Sequence, residues 1–146
     1  SAIDLGSGDD YCVSNVHVQN LLESSQVLSY STCVRHGGDV AGEPTGVIAI
    51  HFDWETQASA IVNGVRVSEA ERDFTRVMLV DSHGLVIAAS DGIGILHDRV
   101  SLQSEKKKSG YFRDADGRTI AFHSTPGYET YPGLGWYGVI AQNQNR

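Results

Sequence analysis

The chain has 146 residues, a net charge of −7, 40% hydrophobic residues and only three prolines. That length suffices for one ordinary domain with a self-supporting core, and the apolar content argues against disorder. The acidic balance, with no basic stripe, speaks against nucleic acid and anionic membrane surfaces as partners.

Sixteen glycines in so short a chain imply many turns and many short strands. Residues 1–10, with Gly6, Gly8, Asp9 and Asp10, read as a flexible lead. Tyr11 to Val18 alternates as a strand, with Cys12, Ser14, Val16 and Val18 on one face. Gln26 to Arg35 alternates again and groups Leu28, Tyr30, Thr32 and Val34. A polar, glycine-bearing loop, His36 to Glu43, precedes Thr45 to Phe52, a mostly apolar strand that suits the centre of a sheet.

At Asp53 the period changes. Asp53 is a good N-cap, and Trp54, Ala58, Ile61, Val62 and Val65 recur at helical spacing, with Gly64 as a stop. Ser68 and Glu71 form a capping-box pattern for one short turn of helix. Residues 63–75 are the candidate boundary between two units. Arg76 to Asp81 and Gly84 to Ser90 then give the clearest hairpin, across Asp81-Ser82-His83-Gly84. Gly110 to Asp114 and Arg118 to Ser124 form a second hairpin, and Gly135 to Gln142 the last strand. The expectation is an α+β chain: a five-stranded antiparallel sheet over residues 76–142, preceded by three strands and a helix.

An internal repeat supports two units. Gly-Val-Ile-Ala occurs at Gly46 to Ala49 and at Gly138 to Ala141, with Tyr30 and Phe122 each sixteen residues upstream of their copy. The chain has no stretch of some 18–20 uncharged apolar residues and no visible signal peptide. Its start at Ser1-Ala2, with strand patterning almost at once, reads as a piece of a longer protein.

Few residues suggest chemistry. If the first hairpin pairs symmetrically about Leu22 and Glu23, Cys12 faces Cys33, and the two are either a disulfide or two reduced thiols. Six histidines stand singly, without zinc-ligand spacing, so no metal site is expected. His51, on an otherwise apolar strand, is either a satisfied sheet residue or a pocket group meeting a ligand carboxylate. Asp114-Ala115-Asp116-Gly117 opens like a calcium loop, but Thr125 stands where the bidentate glutamate belongs, so a turn is expected. Lys106 to Lys108 reads as a solvated loop. No phosphate loop, nucleophile elbow or Cys-His motif is present, and no cofactor or catalytic residue is expected.

Arg76-Val-Met-Leu-Val-Asp81 followed by Gly84-Leu-Val-Ile-Ala-Ala-Ser-Asp91 resembles the opening hairpin of a Cache (PAS-like) sensor module. Gly133 to Gln142 is similar to the closing strand of such a module, and Pro44 to Trp54 resembles the closing strand of a preceding, membrane-distal one. The resemblance implies the later part of a double-Cache region from a bacterial receptor, such as a methyl-accepting chemotaxis protein. Residues 1–66 would be a partial distal unit lacking its first two strands and leading helix, and 67–146 the membrane-proximal unit.

It implies further an extracytoplasmic (periplasmic) location, with a cytoplasmic PAS-like domain as the alternative, and a possible homodimer in the full receptor. The partner would be a small molecule, an organic acid or amino acid. Amino-acid-binding members hold the ligand amine with an aspartate on the last distal strand, where this chain has His51. An imidazole cannot replace a carboxylate opposite an ammonium, so an acid fits better, with His51, Tyr30, Thr32 and Tyr11 as candidates. His123, Tyr111 and Tyr128 are the corresponding candidates in the proximal unit. A ligand-free spacer or dimerisation module and a small enzyme are the competing readings.

Overall fold

A computed structural model describes residues 1–102, 107–127 and 132–143. The chain divides into two compact units, Ser1–Glu55 and Thr56–Arg146. The division falls within a helix, upstream of the 63–75 segment that the sequence suggests as a boundary. The class is α+β, with one antiparallel sheet in each unit.

The first unit holds β1 (Cys12–Val13), β2 (His17–Gln19), β3 (Ser25–Arg35) and β4 (Pro44–Asp53). β3 is central, with β1 and β2 along one edge and β4 along the other. The single strand expected from Tyr11 to Val18 is broken at Ser14–Val16. There the Ser14 N–H donates to the Ser29 carbonyl and the Ser29 N–H returns to the Ser14 hydroxyl.

The break has a register consequence. His17 pairs with Val27, one residue off a pairing centred on Leu22 and Glu23; the break adds a second shift, so Cys12 pairs with Ser31. Two one-residue slips keep Cys12 and Cys33 on one face but not opposite each other. Both cysteines are free thiols, with Cys12 Sγ 3.1 Å from the Ser31 hydroxyl. The directly opposed pair expected from symmetry does not form.

β4 also departs from expectation. It pairs only with β3 among the described strands, and Val47, Ile48, Ile50 and Phe52 are exposed, so it is an edge strand rather than a central one. α1 (Trp54–Asn63) follows Asp53 directly. Trp54, Ala58 and Val62 are buried at i, i+4 and i+8, whereas Ile61 and Val65 of the expected apolar face stay exposed.

The second unit continues with α2 (Glu69–Arg72), β5 (Thr75–Val80), β6 (Val86–Ala89), β7 (Ser109–Arg113), β8 (Thr119–Ser124) and β9 (Tyr137–Gln142). In the capping box the Ser68 hydroxyl donates to the Glu71 carboxylate, and no side chain caps a backbone N–H. The five strands lie in the order β6-β5-β9-β8-β7. Met78, Val80, Ile120, Phe122, Val139 and Ala141 alternate along β5, β8 and β9 and form the core of one sheet face.

Both hairpins close on an aspartate. Asp81 Oδ1 accepts the backbone N–H groups of His83 and Leu85, and Asp114 Oδ1 those of Asp116 and Arg118. Such side-chain acceptors fix a tight turn where the backbone alone would leave donors unpaired.

Both Gly-Val-Ile-Ala copies are extended, in β4 and β9, and each sits in the last strand of its sheet. The wider repeat is out of step by three residues: Val139 pairs with Phe122, but Val47 pairs with Cys33 and not with Tyr30.

Candidate functional site

The register sorts the residues of the first unit, because antiparallel partners project to the same side. Tyr30 pairs with Val13 and Ile50, Thr32 with Ile48, and Leu28 with Phe52. Tyr30 stacks edge-on against Phe52 with centroids 5.5 Å apart and lies 6.2 Å from the Tyr11 ring. Tyr11, Tyr30 and Thr32 therefore share one largely aromatic side.

His51 is on the other side. It pairs with Ser29, and its Nδ1 lies 2.6 Å from the Ser29 hydroxyl. Cys12, Ser31 and Cys33 share this face, and Ser14 Oγ lies 3.4 Å from His17 Nδ1. The four candidates expected in this unit thus divide between two faces: three line an aromatic side, and His51 joins a cluster of hydroxyls. Sequence reasoning missed Ser14, Ser29 and Ser31, because serines on a strand carry no signal until the break at Ser14–Val16 is known. Asp53, paired with Val27, stands on this face too, so it offers three hydroxyls and an imidazole beside one carboxylate.

In the second unit His123 and Tyr111 sit on the face opposite the core, their partners being Ser109 and Gly138 for His123 and Ala121 for Tyr111. Tyr111 is 80% exposed, and His123 Nδ1 lies 2.7 Å from the Ser124 carbonyl. Tyr128 lies outside the described residues.

One cavity of this unit lies on the core side. It measures about 480 Å³, and Met78, Val86, Phe112 and Ile120 form its floor beneath Arg76 and Arg118. The signal for the two arginines was present in the sequence. Arg76-Met78-Val80 and Arg118-Ile120-Phe122 place a cation at the end of each apolar alternation.

A neighbouring cavity of about 400 Å³ shares Arg76, Arg118 and Ala141 with it. Arg118 is held by Asp114 at 2.7 Å and Asp116 at 3.1 Å. Loss of water raises the Asp114 carboxyl's pKa, but the Arg118 side-chain hydrogen bond, the turn N–H groups and the guanidinium charge outweigh that and hold it below its ordinary value. Among the described residues no group of three or more His, Cys, Asp or Glu side chains could hold a metal ion. No described helix is long and apolar enough to cross a membrane.

No protein-family model and no curated protein sequence matches the chain. Solved structures do. The ligand-binding domain of the Pseudomonas aeruginosa amino-acid chemoreceptor PctC, in complex with GABA, matches with a TM-score of 0.60 at 20% identity, over 92% of this chain and 56% of that one. The ligand-binding domain of the Pseudomonas fluorescens chemoreceptor CtaA, in complex with L-serine, matches with a TM-score of 0.57 at 14% identity, again over 92% and 56%. The sensor domain of the V. cholerae histidine kinase DctB matches with a TM-score of 0.57 at 13% identity, over 94% and 57%. The chain therefore spans little more than half the length of these structures. Its two antiparallel sheets have the Cache, or PAS-like, fold of chemoreceptor and histidine-kinase sensor domains.

Proposed function

We propose that the chain is a ligand-sensing part of a bacterial signal-transduction receptor of the chemoreceptor type, and not an enzyme. One observation carries the reading: 92% of the chain shares its fold with a ligand-binding domain that holds a small amino acid. In this reading residues 1–66 belong to a membrane-distal Cache-like unit and 67–146 to a membrane-proximal one, both outside the cytoplasm. The extracellular domain of a histidine kinase among the structural neighbours favours that location. The two units would pair with a second copy in the full receptor.

The ligand is a small organic acid or amino acid. On the first sheet the face with Ser29, Ser31 and His51 is the better cradle for an acid, because it gathers two hydroxyls and an imidazole, with Asp53 two residues from His51 on the same face. Tyr11, Tyr30 and Thr32 on the opposite face are the second choice. Signalling then requires that the ligand bind one packing of the sheet and its loops better than another, since only differential affinity shifts such an equilibrium.

The test is thermal unfolding of the chain against a panel of organic acids and amino acids. A ligand at saturating concentration should raise Tm by roughly several degrees. If no member of either class shifts it, the sensor reading fails and a spacer or dimerisation module stands in its place.

A further inference from the structure

We propose that Cys12 and Cys33 are a dithiol pair that a disulfide oxidant, such as oxidised glutathione, closes into a bridge within the chain, and that closure acts on the aromatic face of the first sheet. The inference rests on the extracytoplasmic reading above, since an oxidising compartment is where such a bridge persists. Cys12 pairs with Ser31, and Cys33 is the next residue of β3 on that side. The two cysteines are therefore diagonal neighbours, which stand about 7–8 Å apart in a regular sheet. A disulfide needs its Cα atoms within roughly 7 Å. The thiols thus stay apart as β1 now lies, and a small shift of β1 along β3 joins them.

β1 is short and set apart. It is two residues long, and the break at Ser14–Val16 separates it from β2, so it can move while the pairing of His17–Gln19 stays in place. Its neighbours along β3 reach it through neutral hydrogen bonds. Cys12 Sγ lies 3.1 Å from the Ser31 hydroxyl, the Thr32 hydroxyl donates to the Asp10 carbonyl, and the Ser14 N–H donates to the Ser29 carbonyl. The net worth of each such bond is small, because water competes for the same groups.

Burial orders the chemistry: Cys12 is half-buried, whereas Cys33 is 5% exposed. The Cys12 thiol loses its proton and attacks one sulfur of oxidised glutathione, and one glutathione leaves as its thiolate. The Cys33 thiol then loses its proton and attacks the Cys12 sulfur, and the second glutathione leaves. Two thiols are oxidised to one disulfide, and the released protons convert both glutathione thiolates to thiols. The shift that closes the bridge also carries Tyr11, the residue before Cys12, whose ring lies 6.2 Å from that of Tyr30. The bond forms on one face of the sheet, and its effect falls on the other, where Tyr11, Tyr30 and Thr32 stand.

The test equilibrates the whole chain with glutathione at set ratios of disulfide to thiol and follows intact mass. The parent should lose two hydrogens and retain no glutathione, whereas Cys12→Ala should form no internal bridge. The folded chain should bridge at a ratio about tenfold more reducing than the urea-unfolded chain, because the sheet raises the effective concentration of one thiol at the other. Near-ultraviolet circular dichroism reads the tyrosines: the spectrum of the parent should change on oxidation, and that of Cys12→Ala should not. The mass of the parent stands by itself should the variant fail to fold.

The proposal is overturned if both thiols stay free, if each carries its own glutathione, if the unfolded chain bridges as readily, or if bridging leaves the tyrosine spectrum unchanged. The acid and amino-acid panel is a separate readout. A ligand that raises Tm in a chain that never bridges would overturn the dithiol pair and leave the sensor reading intact, whereas a bridge without any ligand response would do the reverse.

Discussion

The Ser29 hydroxyl lies 2.6 Å from Nδ1 of His51, and both project from the face of the first sheet that Tyr30 does not share. Ser29 is buried whereas His51 is exposed, so water can replace the lost partner of the imidazole but not the packing around Ser29. Ser29→Ala should cost about 1 kcal/mol, the net value of one such hydrogen bond. Tyr30→Phe keeps its ring against Tyr11 and Phe52 and should stay within about 0.5 kcal/mol. Urea midpoints of the two variants check this, and equal losses would mean that the two faces are not energetically distinct.

Much of the fold was legible because it rests on alternation. The hairpin from Arg76 to Ser90, the turn at Asp114 to Gly117 and the closing strand follow from period-2 patterning and turn residues, which act locally. What was not legible is register. The break at Ser14–Val16 depends on a reciprocal hydrogen bond with Ser29, fifteen positions away, and no local signal marks it. That slip undid the expected facing of Cys12 and Cys33. Edge and centre are likewise invisible in composition: Thr45 to Phe52 is as apolar as β9, yet β9 has partners on both sides and β4 on one. For the site, the arginines at the ends of two apolar alternations were readable, whereas the pairing of Ser29 with His51 needed coordinates.

The turn at Asp114 makes stability depend on acidity. The carboxyl is held below its ordinary pKa in the folded chain, so the unfolded chain binds its proton first as pH falls. Its contribution is complete above the ordinary aspartate value, about 4, and is lost as pH drops through the lowered folded value. Asp114→Asn should therefore lower stability at neutral pH and flatten the loss below the ordinary aspartate value, about pH 4, relative to the parent. Urea unfolding across that range measures both curves; parallel curves would remove Asp114 from the acid response.

Gly84 and Gly117 occupy matching turns but should respond differently to alanine. Both have a left-handed backbone, with φ of +79° and +80°. A Cβ at Gly117 meets nothing within 4 Å, whereas one at Gly84 would stand 2.4 Å from the Val100 carbonyl oxygen. Gly117→Ala should cost the backbone strain alone, about 1–2 kcal/mol. Gly84→Ala adds a clash with the Val100 backbone, whose N–H the Gly84 carbonyl also accepts. It should cost more, and should displace the Val100 segment before the sheet yields. Hydrogen exchange at the Val100 amide reads this directly: faster exchange in Gly84→Ala than in Gly117→Ala is expected, and equal rates would show that the clash relaxes elsewhere.

Val47 and Val139 occupy the same place in the repeated tetrapeptide but not the same environment. Val139 is 1% exposed, between Met78 on β5 and Phe122 on β8. Val47 is 48% exposed and has a paired strand on one side only. Truncation to alanine removes the same two methyl groups at each site, so the difference isolates burial. Val139→Ala loses transfer energy and leaves a cavity, a cost of roughly 2 kcal/mol, whereas Val47→Ala should stay below about 0.5 kcal/mol. Denaturant midpoints of the two variants test it within one background. A large loss at Val47 would mean that this face of β4 is covered in solution, and the place to look for the cover would be its unpaired edge.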